Sequence, residues 1–140
     1  MPTILVDTWA WLALNYKGDQ DYQRAQMANR ELLEQNYNYV TTNFVLDETY
    51  TLLRRRAYAQ RSIEFGREIQ QVISMGGLEL LTITPDIEQD AWRIFEKYHD
   101  LSGLSYTDCT SFAVMHLLKI QEVFSNDKHF TVMGFTRRPF

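Results

Sequence analysis

Four acidic side chains lie directly against apolar stretches of the sequence, where charged residues are uncommon. They are Asp7, Glu48, Asp108 and Asp127, in the segments ILVD, NFVLDETYTLL, LSYTDCTSFAVM and VFSND. A buried carboxylate costs free energy unless a positive group pairs with it. Because no matching set of Lys or Arg lies beside these residues in the sequence, a bound divalent cation is the natural partner. This pattern indicates metal-dependent phosphodiester chemistry.

Two of the acids follow segments that are typical of buried strands. Thr3–Val6 is a short apolar run rich in β-formers, and Asp7 comes directly after it. Glu122–Phe124 has the same character, and Asp127 comes shortly after it. In a parallel sheet both strand ends face the same edge, and ligands bind at the carboxyl ends of the strands. We therefore expect Asp7 and Asp127 to share one edge of the sheet.

The rest of the chain alternates between strand and helix patterns. The predicted strands are Thr3–Val6, Tyr37–Thr41, Leu78–Ile83 and Glu122–Phe124. The predicted helices start at Thr8, at Asp19, at Asn43 as a cap, at Ser62, at Thr84 as a cap and at Ser105. Their ends are expected before Gly18, at Glu34, at Arg56, near Met75 and near Tyr98 for the first five. This alternation predicts one α/β domain over residues 1–140 with a central, mostly parallel sheet.

Helical geometry separates Glu48 from its neighbour Asp47. At about 100° per residue, Glu48 falls between Phe44 and Leu52 on an apolar face. Asp47 falls on another side, beside Arg54, where a solvent-exposed ion pair is reasonable. The geometry predicts that Glu48 faces inward and that Asp47 lies at the surface.

Each of the other three acids also has a structural explanation. Asp7 could cap the helix that follows, or Thr8 could be the cap or could hold Asp7 in position. The segment from Ser105 to Asp108 matches a capping box, which can also fix the orientation of the carboxylate. Asp127 stands among residues that favour turns. No single position is decisive, so the prediction of one site depends on the convergence of all four acids.

The basic residues and the histidines are less informative. The densest basic stretch contains Arg54, Arg55 and Arg56, which form either a solvated helix face paired with nearby acids or a surface that contacts RNA phosphates. We expect His129 to be exposed and to lie outside any zinc-like cluster.

The composition describes an ordinary globular chain, with 45% hydrophobic and 23% charged residues. Its net charge of -4 means that contact with nucleic acid requires a local basic patch or a metal. Cys109 is the only cysteine, so an intramolecular disulfide is excluded. The apolar N-terminus lacks the basic start of a signal peptide and is interrupted by Asp7. We therefore expect a cytoplasmic protein without a membrane segment.

The ordered set of acidic segments resembles the PIN-domain family, especially the VapC-like toxins of bacterial and archaeal toxin–antitoxin pairs. The matching segments are ILVDTWAWLAL, TTNFVLDETYTLL, LSYTDCTSFAVM and VFSNDKHF, in family order along almost the whole chain. The resemblance implies a three-layer α/β/α sandwich and a ribonuclease activity that depends on Mg²⁺ or Mn²⁺. It also makes Asp7, Glu48, Asp108 and Asp127 the acidic site residues. Of these, we expect Asp7 and Asp108 to be the central metal ligands.

The resemblance further implies an RNA substrate, a homodimer and, for a toxin, an inhibitory antitoxin. The alternative is a non-catalytic PIN module that binds RNA or a protein partner, and the presence of all four acids argues against it. A phosphatase that forms an aspartyl-phosphate would need a second acid two residues after Asp7, where Trp9 stands.

Overall fold

A computed structural model describes residues 1–140 and contains five short strands and seven helices. The strands are β1 (Thr3–Val6), β2 (Asn38–Thr42), β3 (Glu79–Leu81), β4 (Glu122–Phe124) and β5 (Thr136–Arg138). The helices are α1 (Thr8–Asn15), α2 (Tyr22–Glu34), α3 (Asn43–Arg56), α4 (Ala59–Ser74), α5 (Pro85–Lys97), α6 (Tyr106–Leu118) and α7 (Lys128–Val132). None of these helices combines the length and the apolar character that a membrane crossing requires.

The five strands form one parallel sheet in the order β3-β2-β1-β4-β5. The chain runs outward from β1 through β2 to β3, and then returns to build β4 and β5 on the other side of β1. The strand order therefore reverses between β1 and β4, where a crevice opens at the carboxyl ends of the strands. The backbone N–H of Asp7 donates to the carbonyl of Phe124 at 3.1 Å and holds these two strand ends together.

The alternation of side chains along the strands creates two separate apolar cores. In β1, Ile4 and Val6 pack on one face of the sheet with α1 to α4, whereas Leu5 packs on the other face with α5, α6 and α7. In β4, Phe124 and Val123 divide between the two faces in the same way. The result is the predicted α/β/α sandwich, with helices covering both faces of a parallel sheet.

Three predicted helix starts differ from the structure, and local hydrogen bonds explain two of them. Helix α4 begins at Ala59 rather than at Ser62. Helix α3 is capped by Thr42, whose Oγ1 accepts from the backbone N–H of Val45 at 3.0 Å. The predicted cap, Asn43, instead accepts from the backbone N–H of Ile83 at 2.8 Å and so ties α3 to the segment after β3. Helix α2 starts later than predicted because the Asp19 carboxylate accepts from a backbone N–H two residues on, which favours a turn.

The C-terminal elements α7 and β5 were not predicted. Helix α7 has only five residues, too few to show a helical repeat. The β5 sequence is Thr-Arg-Arg, which is typical of an exposed segment, yet Arg138 is only 9% exposed. Its guanidinium lies 3.3 Å from a carboxylate oxygen of Glu122 and 5.6 Å from the ring centroid of Tyr37. A partly buried ion pair therefore accounts for a charged strand at the edge of this sheet.

A chain of buried hydrogen bonds fixes the end of β1. The indole N–H of Trp11 donates to Thr41 Oγ1 at 3.1 Å, and the Thr41 hydroxyl donates to the carbonyl of Val6 at 2.9 Å. The first part of α1 and the end of β2 are thereby held around the residue that precedes Asp7. The position of the Asp7 carboxylate thus depends on three different elements.

Candidate metal centre

All four predicted acids line one pocket of about 270 Å³ at the carboxyl edge of the sheet. Asp7 follows β1, Asp127 follows β4, Glu48 belongs to α3, and Asp108 belongs to the first turn of α6. The other polar lining residues are Thr8, Arg56 and Asn126. The structure therefore brings together side chains that are up to 120 positions apart (7 to 127) in the sequence.

Asp7 is deeply buried, with 4% of its surface exposed. It occupies the cap position of α1, but its carboxylate forms no capping hydrogen bond, so the capping explanation does not account for it. The hydroxyl of Ser125 donates to Asp7 Oδ2 at 2.8 Å. Burial raises the pKa of Asp7 most strongly, and the nearby Asp108 and Asp127 carboxylates also raise it, while the Ser125 hydrogen bond lowers it. The combined effect is a pKa of about 8.

Asp108 is also buried, with 7% of its surface exposed, and it forms the predicted capping box. Ser105 Oγ accepts from the backbone N–H of Asp108 at 3.0 Å, and the backbone N–H of Ser105 donates to Asp108 Oδ2 at 3.2 Å. Burial and then the charge of Asp127 raise the pKa of Asp108, with a smaller contribution from Glu48. The cap therefore orients a carboxylate that also faces the pocket, and both predicted roles are compatible.

Ser125 connects the acids that follow the two central strands. Its side chain is fully buried, and its Oγ accepts from the backbone N–H of Asp127 at 3.0 Å while donating to Asp7. Asp127 in turn caps α7, because its Oδ1 accepts from the backbone N–H of His129 at 2.9 Å. Sequence reasoning did not select Ser125, although a hydroxyl residue between a buried strand and an acid was the available signal.

The orientations predicted for Glu48 and Asp47 agree with the structure. Glu48 is half-buried and lines the pocket, whereas Asp47 is exposed. The expected ion pair between Asp47 and Arg54 is not formed. Solvent-exposed pairs of this kind contribute little to stability, so nothing holds these two side chains together.

The pocket concentrates carboxylates without a Lys or Arg partner. No Lys or Arg forms an ion pair with any of the four carboxylates. Thr8 is 5% exposed and lines the same pocket, and its Oγ1 is buried without a hydrogen-bond partner. The expected support of Asp7 by the Thr8 hydroxyl is therefore not observed, and Ser125 provides it instead. Clustered carboxylates and an unpaired hydroxyl oxygen are the hard donors that suit Mg²⁺ or Mn²⁺.

The basic residues differ in their distance from this pocket. Arg54, Arg55 and Arg56 are all exposed on α3, but only Arg56 contributes to the pocket wall. Arg24 on α2 lies beside the pocket, because its guanidinium donates at 3.0 Å to Oδ1 of the lining residue Asn126. Arg24 was not predicted, since this contact joins residues that are 102 positions apart.

The prediction that His129 is exposed is wrong. Its side chain is only 17% exposed, and its Nδ1 lies 2.9 Å from Asp127 Oδ1 and 3.8 Å from Asp108 Oδ2. Donor atoms of these three residues all lie within 4.8 Å of one another. The error follows from the failure to predict α7, because the first turn of that helix places His129 beside the acids.

Comparison with known proteins agrees with this architecture. A family model for the PIN domain matches residues 4–136. The 23S rRNA-specific endonuclease VapC20 of Mycobacterium tuberculosis, found in two strains, is 33% identical over 132 residues, which cover 94% of this chain and 95% of the relative.

Two solved structures extend the comparison to three dimensions. The crystal structure of M. tuberculosis VapC20, a sarcin–ricin loop cleaving toxin, superposes with a TM-score of 0.80 at 32% identity, covering 95% of this chain and 96% of that one. VapBC2 from Rickettsia felis, bound to a DNA fragment from its promoter, gives a TM-score of 0.65 at 14% identity with 97% of both chains covered, which supports the fold alone. From the family match, the extended identity and the shared fold, the chain belongs to the PIN-domain family.

Proposed function

We propose that this protein is a metal-dependent endoribonuclease that acts in the cytoplasm as the toxin of a toxin–antitoxin pair. The observation that carries the proposal is the burial of Asp7 and Asp108 in one pocket without a Lys or Arg partner. Two such carboxylates destabilise the folded chain unless a cation joins them. A divalent ion is the partner that fits a pocket lined by carboxylates and one unpaired hydroxyl.

The four carboxylates would hold Mg²⁺ or Mn²⁺, with Asp7 and Asp108 as the central ligands. When bound, such an ion activates a water for attack on phosphorus and offsets the negative charge of the phosphate. The chain prepares the ligands in advance, because Ser125 fixes Asp7 Oδ2 and the backbone of Ser105 fixes Asp108 Oδ2. Glu48 and Asp127 complete the set either directly or through water.

An RNA substrate is consistent with the position of the basic residues. Arg56 and Arg24 border a pocket that is otherwise acidic, so their guanidinium groups are placed to contact phosphates beside the cleaved bond. Arg54 and Arg55 lie farther along the exposed surface and would contribute only a general attraction. The relative VapC20 cleaves 23S rRNA, so the sarcin–ricin loop is the first substrate to test.

The proposed activity predicts that the purified protein cleaves RNA containing the sarcin–ricin loop with Mn²⁺ or Mg²⁺ and not with EDTA. Asp7→Asn and Glu48→Gln are expected to reduce cleavage below detection, because each removes a charged ligand. Asp47→Asn is the matched control and should cleave at the wild-type rate, since Asp47 is exposed. Gel-based assays measure the rates. RNA binding without metal-dependent cleavage would favour the non-catalytic module instead.

We also propose that the toxin forms a homodimer and is inhibited by an antitoxin. The toxin role and the antitoxin are tested in growing cells. Expression of the wild-type chain is expected to arrest growth, and co-expression of the product of an adjacent small gene is expected to restore it. The Asp7→Asn variant should not arrest growth, because it keeps the fold and loses the proposed ligand. Equal arrest by both forms would show that toxicity does not depend on this pocket.

The proposed RNA contact predicts different effects for two arginines on the same helix. Arg56→Gln is expected to weaken RNA binding by about tenfold, which is about 1.4 kcal/mol and close to the lower end of the contribution of a hydrogen bond to a charged group. Arg54→Gln removes the same charge from an exposed position outside the pocket and is expected to change the dissociation constant less than about twofold. Fluorescence anisotropy with Asp7→Asn as the background measures binding without cleavage. Equal losses for both variants would contradict a specific role for Arg56.

The buried charge predicts that Asp7→Asn stabilises the metal-free protein at alkaline pH. Asp7 has a pKa of about 8 in the folded chain and an ordinary pKa of 3.8. Between these two pH values the folded chain therefore keeps a proton on Asp7 that the unfolded chain has lost. The stability of the wild type therefore falls as the pH rises from about 4 to about 8, whereas Asn carries no charge to bury. In EDTA at pH 8.5 we expect the variant to melt at least about 5 °C higher.

Calorimetry or circular dichroism at several pH values measures this difference, which should vanish near pH 4. Mn²⁺ should raise the melting temperature of the wild type more than that of the variant, because only the wild type keeps the ligand. A variant that melts below the wild type at pH 8.5 in EDTA would contradict the electrostatic interpretation.

A further inference from the structure

The orientation of the His129 ring is fixed by the loop before α6. His129 Nε2 lies 2.9 Å from the backbone carbonyl of Ser102. A carbonyl oxygen can only accept a hydrogen bond, so Nε2 must carry the ring proton and donate it. Gly103 follows with φ of 78°, a conformation that favours glycine and turns the loop at this point. A ring that carries this single proton presents the lone pair of Nδ1 towards Asp127 and Asp108.

No hydrogen bond accounts for the position of Nδ1. The atom is buried and has no hydrogen-bond partner. Asp127 Oδ1 is 2.9 Å away but out of line with the ring nitrogen, and it already accepts from the backbone N–H of His129. Two electron-rich atoms at this distance repel each other unless a positive charge lies near both.

The distances around Nδ1 match those between ligands of one metal ion. Neighbouring donors around an octahedral ion with bonds of about 2.1 Å lie roughly 3 Å apart, and both point at the ion rather than at each other. The 2.9 Å approach of Asp127 Oδ1 to His129 Nδ1 has this spacing and this out-of-line geometry. The separation of 3.8 Å from Asp108 Oδ2 is also within the span of one coordination shell.

We propose that His129 Nδ1 is a metal ligand together with Asp108 and Asp127, which makes the centre a mixed nitrogen–oxygen site that favours Mn²⁺ over Mg²⁺. This inference rests on the proposed metal-dependent function and adds a fifth residue to the four acids. Histidine ligands donate their other ring N–H to a carbonyl or carboxylate, and Ser102 accepts that bond here. Imidazole nitrogen suits transition metals, whereas Mg²⁺ strongly prefers oxygen.

Electron spin-echo envelope modulation of bound Mn²⁺ tests the ligand directly, because it detects the magnetic coupling between the electron spin of the ion and a directly bonded nitrogen nucleus. The chain contains three histidines, and His99 and His116 are exposed. We expect ¹⁴N modulation in the wild type and in the His116→Gln control. The His129→Gln variant should bind Mn²⁺ without this modulation.

A labelling experiment answers the same question without a substitution. Wild-type protein grown with histidine that carries ¹⁵N in the ring should show the ¹⁵N pattern in place of the ¹⁴N pattern. Unchanged modulation after labelling, or its absence in Mn²⁺-loaded wild type, would overturn the assignment of His129. This result does not depend on whether the His129→Gln variant folds.

Titration calorimetry measures the expected metal preference. His129→Gln should weaken Mn²⁺ binding by at least about tenfold, because loss of even an outer partner of a ligand costs roughly 10- to 100-fold in metal affinity. It should change Mg²⁺ binding by less than about threefold, because Mg²⁺ gains little from nitrogen. Equal losses for both ions would overturn the proposed preference.

The outcomes also separate this inference from the proposed function. Wild-type protein that binds no Mn²⁺ and cleaves no RNA would reject both. Metal-dependent cleavage without nitrogen coupling would reject the role of His129 and leave the four-acid nuclease intact.

Discussion

The contact between the ends of β1 and β4 is the constraint on which the rest of the site depends. One backbone hydrogen bond joins Asp7 to Phe124, and the hydroxyl of Ser125 joins the Asp7 carboxylate to the backbone of Asp127. These bonds form where the strand order reverses, so the crevice opens beside residues that cannot move independently. Helices α3 and α6 then add Glu48 and Asp108 from the two layers that cover the sheet.

This arrangement sacrifices stability for function at one place in the molecule. The same parallel sheet that buries apolar side chains on both faces also removes two carboxylates from water at its edge. The burial raises the pKa of Asp7 and of Asp108, the neighbouring carboxylates add to the increase, and no Lys or Arg pairs with either acid. Such strain at a site is expected when the missing partner is a ligand rather than a residue of the chain.

Local patterns were sufficient to predict most of the sheet, the inward face of Glu48 and the shared edge of Asp7 and Asp127. Each of these predictions depends on periodicity or on the end of a strand, and both can be recognised within a short stretch of sequence. The hydrogen bond between Ser125 and Asp7 spans 118 positions, and no window contains it. His129 was misplaced for a related reason, since a helix of five residues lacks the repeat that would reveal its direction.

The negative charge of the pocket carboxylates also determines the order in which the cation and the RNA bind. A phosphate group carries the same sign of charge as the pocket, so Arg24 and Arg56 at its border cannot by themselves draw RNA into contact with the acids. An RNA strand can approach the centre closely only after a cation has reversed the local potential. Loading of the ion would then precede contact between RNA and the acids, so the availability of the ion would limit cleavage even where RNA is already bound at the border of the pocket.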